Sequence, residues 1–191
     1  MSIFAPLNIR RFRLVGLLLA GMYTTSRISQ NHSFIQHGST TLYNHCRNVA
    51  LLSLKIADGL RLKVDHKSLV RGALLHDYYL YDWHDRKLCP PMHGLDHPII
   101  ALENAREDFT LNKTEEDIIK HHMFPLTFLP PRTLEGWIVC IADKCCSLYE
   151  TFRWNETHLL KRKALLVSTR SRIEQSRQEG LKGWLNRLKG N

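Results

Sequence analysis

The 191-residue chain has no Cys-x-x-C pair, no internal repeat, no low-complexity linker and no apolar run long enough to span a bilayer. Each absence removes a class. Five cysteines (Cys46, Cys89, Cys140, Cys145 and Cys146), odd in number and without paired spacing, argue against a disulfide framework and for a reducing compartment. The expected location is therefore the cytoplasm. Cys145 and Cys146 adjoin an apolar run, where a free thiol behaves as a small hydrophobe. No segment alternates with period two for more than a few residues, so strands have little to be built from. The expected fold class is all-α.

The longest apolar stretch, Leu14 to Tyr23, falls short of the roughly 20 residues a membrane helix needs. Arg10, Arg11 and Arg13 precede it as in the n-region of a signal peptide, but the Thr-Thr-Ser-Arg that follows offers no small-x-small cleavage site. An N-terminal helix packed on the core, within residues 1–35, is the expected reading. With 43% hydrophobic and 24% charged residues the composition is that of a globular protein, and the length suits one well-buried core.

What the chain does have is positive charge and histidine: a net charge of +9 and 11 histidines. The charge is uneven. Thr157 to Asn191 holds nine Lys or Arg and two Glu, so this tail carries +7 of the +9. Leu159, Leu160, Ala164, Leu165 and Val167, then Ile173, Leu181, Trp184 and Leu185, give it an apolar side. The expectation is a basic amphipathic helix or helix pair packed on the core, its charges turned outward or around the mouth of an anionic-substrate pocket. A nucleic-acid-binding role through this tail is the alternative. That role calls for aromatics interleaved with the charges, and only Trp184 follows Trp154, so nucleic acid is not the expected partner.

Helical periodicity organises the rest. Leu42, Val49, Leu52, Ile56 and Leu60 form a stripe over residues 42–60, with Gly59 as a stop. Asp65 caps a helix ending near His76–Tyr79. Residues 81–95 are irregular. Asp96-His97-Pro98 reads as a helix start, with Pro98 in the first turn. Thr114 reads as the cap of a short helix whose first turn carries Glu115, Glu116 and Asp117. A long apolar helix is expected from about Thr133 to Phe152.

The candidate chemistry gathers on these helices. His76-Asp77 closes the apolar run Gly-Ala-Leu-Leu, where an imidazole and a carboxylate can enter one interior cavity. His45 opens the first long helix, His97 starts another, and His122 ends the short one. Asp143 interrupts the run Trp137 to Ala142, where an ionised carboxylate is costly unless paired or metal-bound. Five helices thus offer nitrogen and oxygen donors with no need for thiolate. Such a set suits Fe, Mn, Mg, Co or Zn rather than a cysteine-type zinc site.

The order His45 … His76-Asp77 … His97 … His122 … Asp143 resembles the H…HD…H…H…D signature of HD-superfamily metal-dependent phosphohydrolases in their two-metal form. The resemblance covers about residues 36–150. It extends to Gln36-His37-Gly38, His76-Asp77-Tyr78-Tyr79, His93-Gly-Leu-Asp-His97-Pro98 and His122-Met-Phe-Pro-Leu-Thr127. These segments are similar to a group of bacterial HD-domain proteins, and the ordering is similar to HD-type hydrolases of diadenosine tetraphosphate.

The resemblance implies a helical bundle, an HD metal-binding domain over 36–152, and a C-terminal extension over 153–191. It implies two divalent metals, with Fe or Mn expected first. His45, His76, Asp77 and Asp143 would hold one, and Asp77, as the catalytic bridge, would share the second with His97 and His122. The implied activity is hydrolysis of a phosphomonoester, phosphodiester or dinucleoside polyphosphate by a metal-activated water, with a small phosphorylated substrate such as a nucleotide. A metal- or nucleotide-binding sensor without turnover is the alternative. Tyr78-Tyr79 depart from the small residue and Lys or Gly found in many relatives, which bears on the substrate. His37, His93 and Lys144 are candidate substrate contacts. His121 is read as the exposed twin of His122 or an outer contact to phosphate.

Overall fold

The structure, a computed structural model, describes residues 9–153 apart from Arg86. The elements run α1 (Ile9–Tyr23), a 3-10 turn (Arg27–His32), β1 (Ile35–His37), β2 (Thr40–Thr41), α2 (Leu42–Gly59), α3 (His66–Leu75), α4 (His93–Asp108) and α5 (Lys113–His121). A further helix, α6, begins at residue 134 and continues to the last described residue, 153. Among the described residues the fold is all-α but for one short ladder: β1 and β2 pair antiparallel, Ile35 opposite Thr41 and His37 opposite Thr40. Gly38, at φ 61°, takes the left-handed position that turns this ladder.

The core follows the stripes only in part. On α2 the buried face is Leu42, His45, Cys46, Val49, Ala50, Ser53, Leu54 and Ala57. Leu52 and Ile56 lie at its margin, and Leu60 is 67% exposed, so the stripe expected through 52, 56 and 60 is displaced by about one position. That places His45 on the buried face of the helix. α3 contributes Leu69, Val70, Ala73, Leu74 and Leu75, and α5 adds Ile118 and Ile119. α6 brings Ile138, Val139 and Ala142 to the same core. α1 buries Val15, Leu19 and Met22 against it. Each fully buried aliphatic side chain stabilises the fold by about 1.5–3 kcal/mol relative to exposure. A smaller cluster of Leu42, Cys46 and Tyr79, flanked by Phe34, Tyr81 and Trp83, lies beside the histidines.

Helix starts differ from the sequence expectation at two places. Asp65 caps α3 as expected, accepting from Lys67 N. α5, however, is capped by Asn112, not Thr114. Asn112 and Glu115 form a reciprocal capping box, which satisfies two amides where a threonine cap alone would satisfy one. α4 begins at His93, not Asp96, with Leu95 N and Asp96 N bonding to Met92 O at 2.7 and 2.9 Å. Pro98 therefore sits inside the helix rather than in its first turn. Arg27 ties the 3-10 turn to the end of α4 through Asp108 and Glu107. Among the described residues no helix is long and apolar enough to cross a membrane. The basic amphipathic tail expected over 153–191 lies outside the described residues, Arg153 apart.

Candidate metal centre

Five chain segments deliver the candidate residues to one buried space. His45 projects from the first turns of α2, and His76 and Asp77 follow the last turn of α3. His97 lies in α4, His122 closes α5, and Asp143 comes from α6. His45, His76 and His122 are at most 1% exposed, Asp77 2%, His97 5% and Asp143 7%. The six residues expected from the sequence are thus brought together, across nearly 100 positions of chain.

The Asp77 carboxylate faces two sets of imidazoles. Its Oδ1 lies 3.2 Å from His97 Nε2 and 3.4 Å from His122 Nε2. Its Oδ2 lies 3.4 Å from His76 Nε2 and 3.8 Å from His45 Nε2. Asp143 Oδ1 sits 3.1 Å from His45 Nε2 and 3.7 Å from His76 Nε2. Two groups of donors, His45/His76/Asp143 and His76/Asp77/His122, each have ligand atoms within 4.8 Å of one another.

The outer nitrogens fix what the inner ones can do. His76, His97 and His122 each donate Nδ1–H to a backbone carbonyl, of Ala73, His93 and Ile119, all at 2.8 Å. That tautomer leaves Nε2 as a lone pair directed inward. His97 Nε2 and His122 Nε2 then lie 3.0 Å apart, an unfavourable contact between lone pairs unless a cation or proton lies between. His76 Nε2 and Asp77 Oδ1 are buried with no hydrogen-bond partner among the described residues. Buried atoms without partners are costly, and the donor set fits one or two divalent cations.

Electrostatics shows the same demand. Burial lowers the His45 pKa, but hydrogen bonds to Asp143 and Glu150 outweigh it and carry the imidazole up to about 10. Burial also opposes a charged His76, yet the Asp77 charge beside it raises its pKa. Burial would raise Asp77 and Asp143, but the imidazoles around them hold both well below the carboxylate range. The two carboxylates are thus fixed as anions and call for positive charge. A divalent cation answers that call without placing a proton on Nε2.

The family model for the HD domain matches residues 42–148, more than half of the chain. The chain belongs to the HD-domain family. Comparison with curated proteins and with solved structures gives no match. HD domains are in general metal-dependent phosphohydrolases, and the clusters described above could bind the divalent metal such chemistry uses. The matched segment starts at the first residue of α2 and ends in α6, so it spans every helix that brings a residue to the HD centre.

A cleft of about 580 Å³ opens onto this centre, lined in part by His37, Trp83, His93, Leu126 and Lys144. Three of the four candidate substrate contacts therefore lie at the cleft. His37 packs edge-on against His45, and burial lowers its pKa. His93 Nδ1 and Tyr81 OH share a hydrogen bond of 2.8 Å. Burial, then repulsion from His97, pushes His93 down to about 4, so it is neutral near pH 7. Lys144 Nζ donates to the His122 carbonyl at 2.8 Å. His121 does not join them. It is 6% exposed rather than an exposed twin, and it lines a separate groove between α4 and α5. Consecutive helical residues differ by about 100° in direction, so the neighbour of a site residue points elsewhere.

Supporting residues complete the HD centre: Glu150, Asn48 and Ser147 were not among the sequence candidates, and Gln36 and Tyr79 were noted there only as parts of matching segments. Glu150 accepts from His45 Nδ1 at 2.9 Å and from Asn48 Nδ2 at 3.0 Å. Gln36 Nε2 donates to Asp77 Oδ2 at 2.7 Å, while Tyr79 OH donates to Gln36 Oε1. Ser147 Oγ donates to Asp143 Oδ1 at 3.2 Å. Asp143, Ser147 and Glu150 are spaced i, i+4 and i+7 on α6, a helical face readable from sequence. Tyr78, meanwhile, donates to Asp108 Oδ2, away from the centre.

Proposed function

We propose that this HD-domain protein hydrolyses a phosphoester bond in a small phosphorylated molecule, a nucleotide being the favoured class, with two divalent metals that Asp77 and the histidines around it would hold. One observation carries the reading: the two oxygens of Asp77 face separate histidine sets, Oδ1 toward His97 and His122 and Oδ2 toward His45 and His76. One cation would be held by His45, His76, Asp77 and Asp143, and the other by Asp77, His97 and His122. Iron or manganese is the favoured metal, either of which these imidazole and carboxylate donors accept. When bound, such ions supply Lewis acidity and lower the pKa of water toward neutrality.

The chain's own groups then orient the substrate. Neutral His93, its Nδ1 occupied by Tyr81, hydrogen-bonds a phosphate oxygen through Nε2. Lys144, anchored on the His122 carbonyl at 2.8 Å and on Cys140 O and Sγ at 3.4 Å, brings its positive charge to the same anion. His37 closes the cleft beside His45. A nucleotide is supported by Trp83, which stacks on His93 with ring planes 4° apart in the wall of the cleft. An aromatic face beside a phosphate-binding centre suits a base or another flat group. The cytoplasm is proposed as the location because all five cysteines are free.

The test is elemental analysis of protein purified without chelators, wild type beside Asp77→Ala, followed by a phosphoester screen with the metal restored. Bound Fe, Mn, Co or Zn, mostly lost in the variant, together with turnover that follows the metal, supports the proposal. A wild-type protein that neither carries metal nor can be reloaded would sink it.

A further inference from the structure

A second concavity, of about 540 Å³, lies between α4 and α5 and shares no lining residue with the cleft of the metal centre. Its walls hold Arg106, Lys113, Lys120 and Arg132 against two acids, Glu116 and Asp117. Both acids are engaged within the protein. Glu116 Oε1 accepts from Arg106 Nε at 2.7 Å. Asp117 accepts from Arg132 N at 3.0 Å, Thr133 N at 2.8 Å, Thr133 Oγ1 at 2.6 Å and His121 Nδ1 at 2.8 Å, which leaves it little capacity for more. Lys113, Lys120 and the Arg132 guanidinium have no acidic partner among the described residues. Four cations against two acids leave the depression with a net positive charge, and three of the cations are without an ion pair among the described residues.

The floor supplies an independent observation. His121 is 6% exposed and lines the groove, and its Nε2 is buried without a hydrogen-bond partner among the described residues. His121 Nδ1–H donates to Asp117, so the ring is oriented and Nε2 is left as an acceptor for the O–H of a ligand. A buried ring acceptor without a partner under a rim of unpaired cations is costly as it stands, and a partly protonated phosphate relieves both, its O–H donating to Nε2 and its anionic oxygens meeting the cations. Lys113, Asp117, Lys120 and His121 fall at i, i+4, i+7 and i+8, on one face of α5. A single rigid element thus presents most of the contacts.

We propose that this groove binds a phosphate-bearing anion, with Lys113, Lys120 and Arg132 around it and His121 Nε2 at its floor. The planar fork of an arginine and the point charges of two lysines suit a group with several anionic oxygens better than a lone carboxylate. The site is separate from the metal centre and does not depend on the function proposed above.

Inorganic pyrophosphate is the probe, titrated calorimetrically into the metal-loaded full chain. Two double variants, each removing two exposed charges, are compared: Lys120→Ala/Arg132→Ala in the groove and Lys63→Ala/Lys67→Ala outside it. The groove variant should weaken one class of site by roughly tenfold or more, the loss of about one charge-assisted hydrogen bond, while the other variant binds as wild type. Acylation footprinting by mass spectrometry locates the ligand, with Lys113 and Lys120 protected by pyrophosphate. Equal binding by the two double variants overturns the proposal. So does protection confined to Lys144, which would place the only bound pyrophosphate in the cleft.

Discussion

Glu150 accepts a hydrogen bond from His45 Nδ1 at 2.9 Å across 105 positions of sequence, and the opposite nitrogen of the same ring faces Asp143 at 3.1 Å. The carboxylate at one edge fixes what the other edge can offer. With Glu150 in place, Nδ1 carries the proton and Nε2 is the donor atom toward the centre. Glu150 is itself held by Asn48 and is 6% exposed, so its position is set by packing. The Glu150→Gln variant keeps the shape and removes the charge. Its metal affinity should fall by about 10–100-fold, the usual cost of losing such a support, measured by competition with a metal-binding dye. Unchanged affinity would mean that His45 does not depend on this carboxylate.

Asp77 separates two histidine sets, and single variants should separate them too. Wild type should carry about two metal equivalents and His97→Ala about one, because His45, His76, Asp77 and Asp143 remain. Asp77→Ala should lose most of both. Elemental analysis of the three proteins, purified side by side, gives the answer. If His97→Ala retains the full wild-type content, Oδ1 of Asp77 does not serve a second ion.

The ordered donors were legible because each is a residue type that a buried helix face rarely tolerates alone. Asp143 in an apolar run and His76-Asp77 after Leu74-Leu75 announce themselves against their surroundings. Glu150 does not, since a glutamate near a helix end reads as ordinary surface until the fold brings it to the site, and Gln36 is legible only as part of the Gln36-His37-Gly38 segment, without its bond to Asp77. Adjacency misled for His121: one step along a helix turns the side chain by about 100°, which carries it from the metal centre to the α4–α5 groove. Helix starts were misplaced where two caps competed, and Asn112 prevails over Thr114 because Glu115 returns its hydrogen bond. The stripe on α2 was read through its largest aliphatics. Leu42 and Val49 of that stripe are buried, but from there the face continues through Ala50, Ser53, Leu54 and Ala57, and His45 shares it, small or polar residues among them that a hydrophobicity pattern underweights.

α3 and α5 meet at a glycine. A Cβ on Gly72 would lie 2.4 Å from Ile118 Cδ1 and 2.9 Å from Ile118 Cβ. The methyl tip could rotate away, but the Cβ belongs to the backbone position of α5 and can move only with the helix. Helix propensity alone would favour alanine by up to about 1 kcal/mol, and the clash opposes it. Gly72→Ala should destabilise by about 1–3 kcal/mol, the cost of overpacking, seen as a lower urea midpoint with an unchanged slope. Because His76 and Asp77 follow α3 and His122 closes α5, metal affinity should fall as well. A variant as stable as wild type would show that the two helices can separate freely here.

The Arg27–Asp108–Tyr78 cluster gives stability a dependence on acid. Arg27 Nε donates to Asp108 Oδ2 at 3.0 Å and Tyr78 OH donates to the same oxygen at 2.6 Å. Burial raises the Asp108 pKa, but the bonds from Arg27 and Tyr78 outweigh it and hold the carboxyl below its ordinary value. The unfolded chain, with a carboxyl near about 3.9, therefore binds this proton more readily than the folded one. The cluster's contribution is fully present above that unfolded value and is lost as pH falls through the lower folded value. Asp108→Asn should be less stable than wild type near neutrality, by about 1–3 kcal/mol for a charged acceptor removed from a part-buried pair. Its stability should also fall less steeply in acid, so the two proteins converge as the pH drops below the unfolded value. Urea denaturation at a series of pH values measures both effects, and parallel curves for the two proteins would assign the acid sensitivity to other carboxylates.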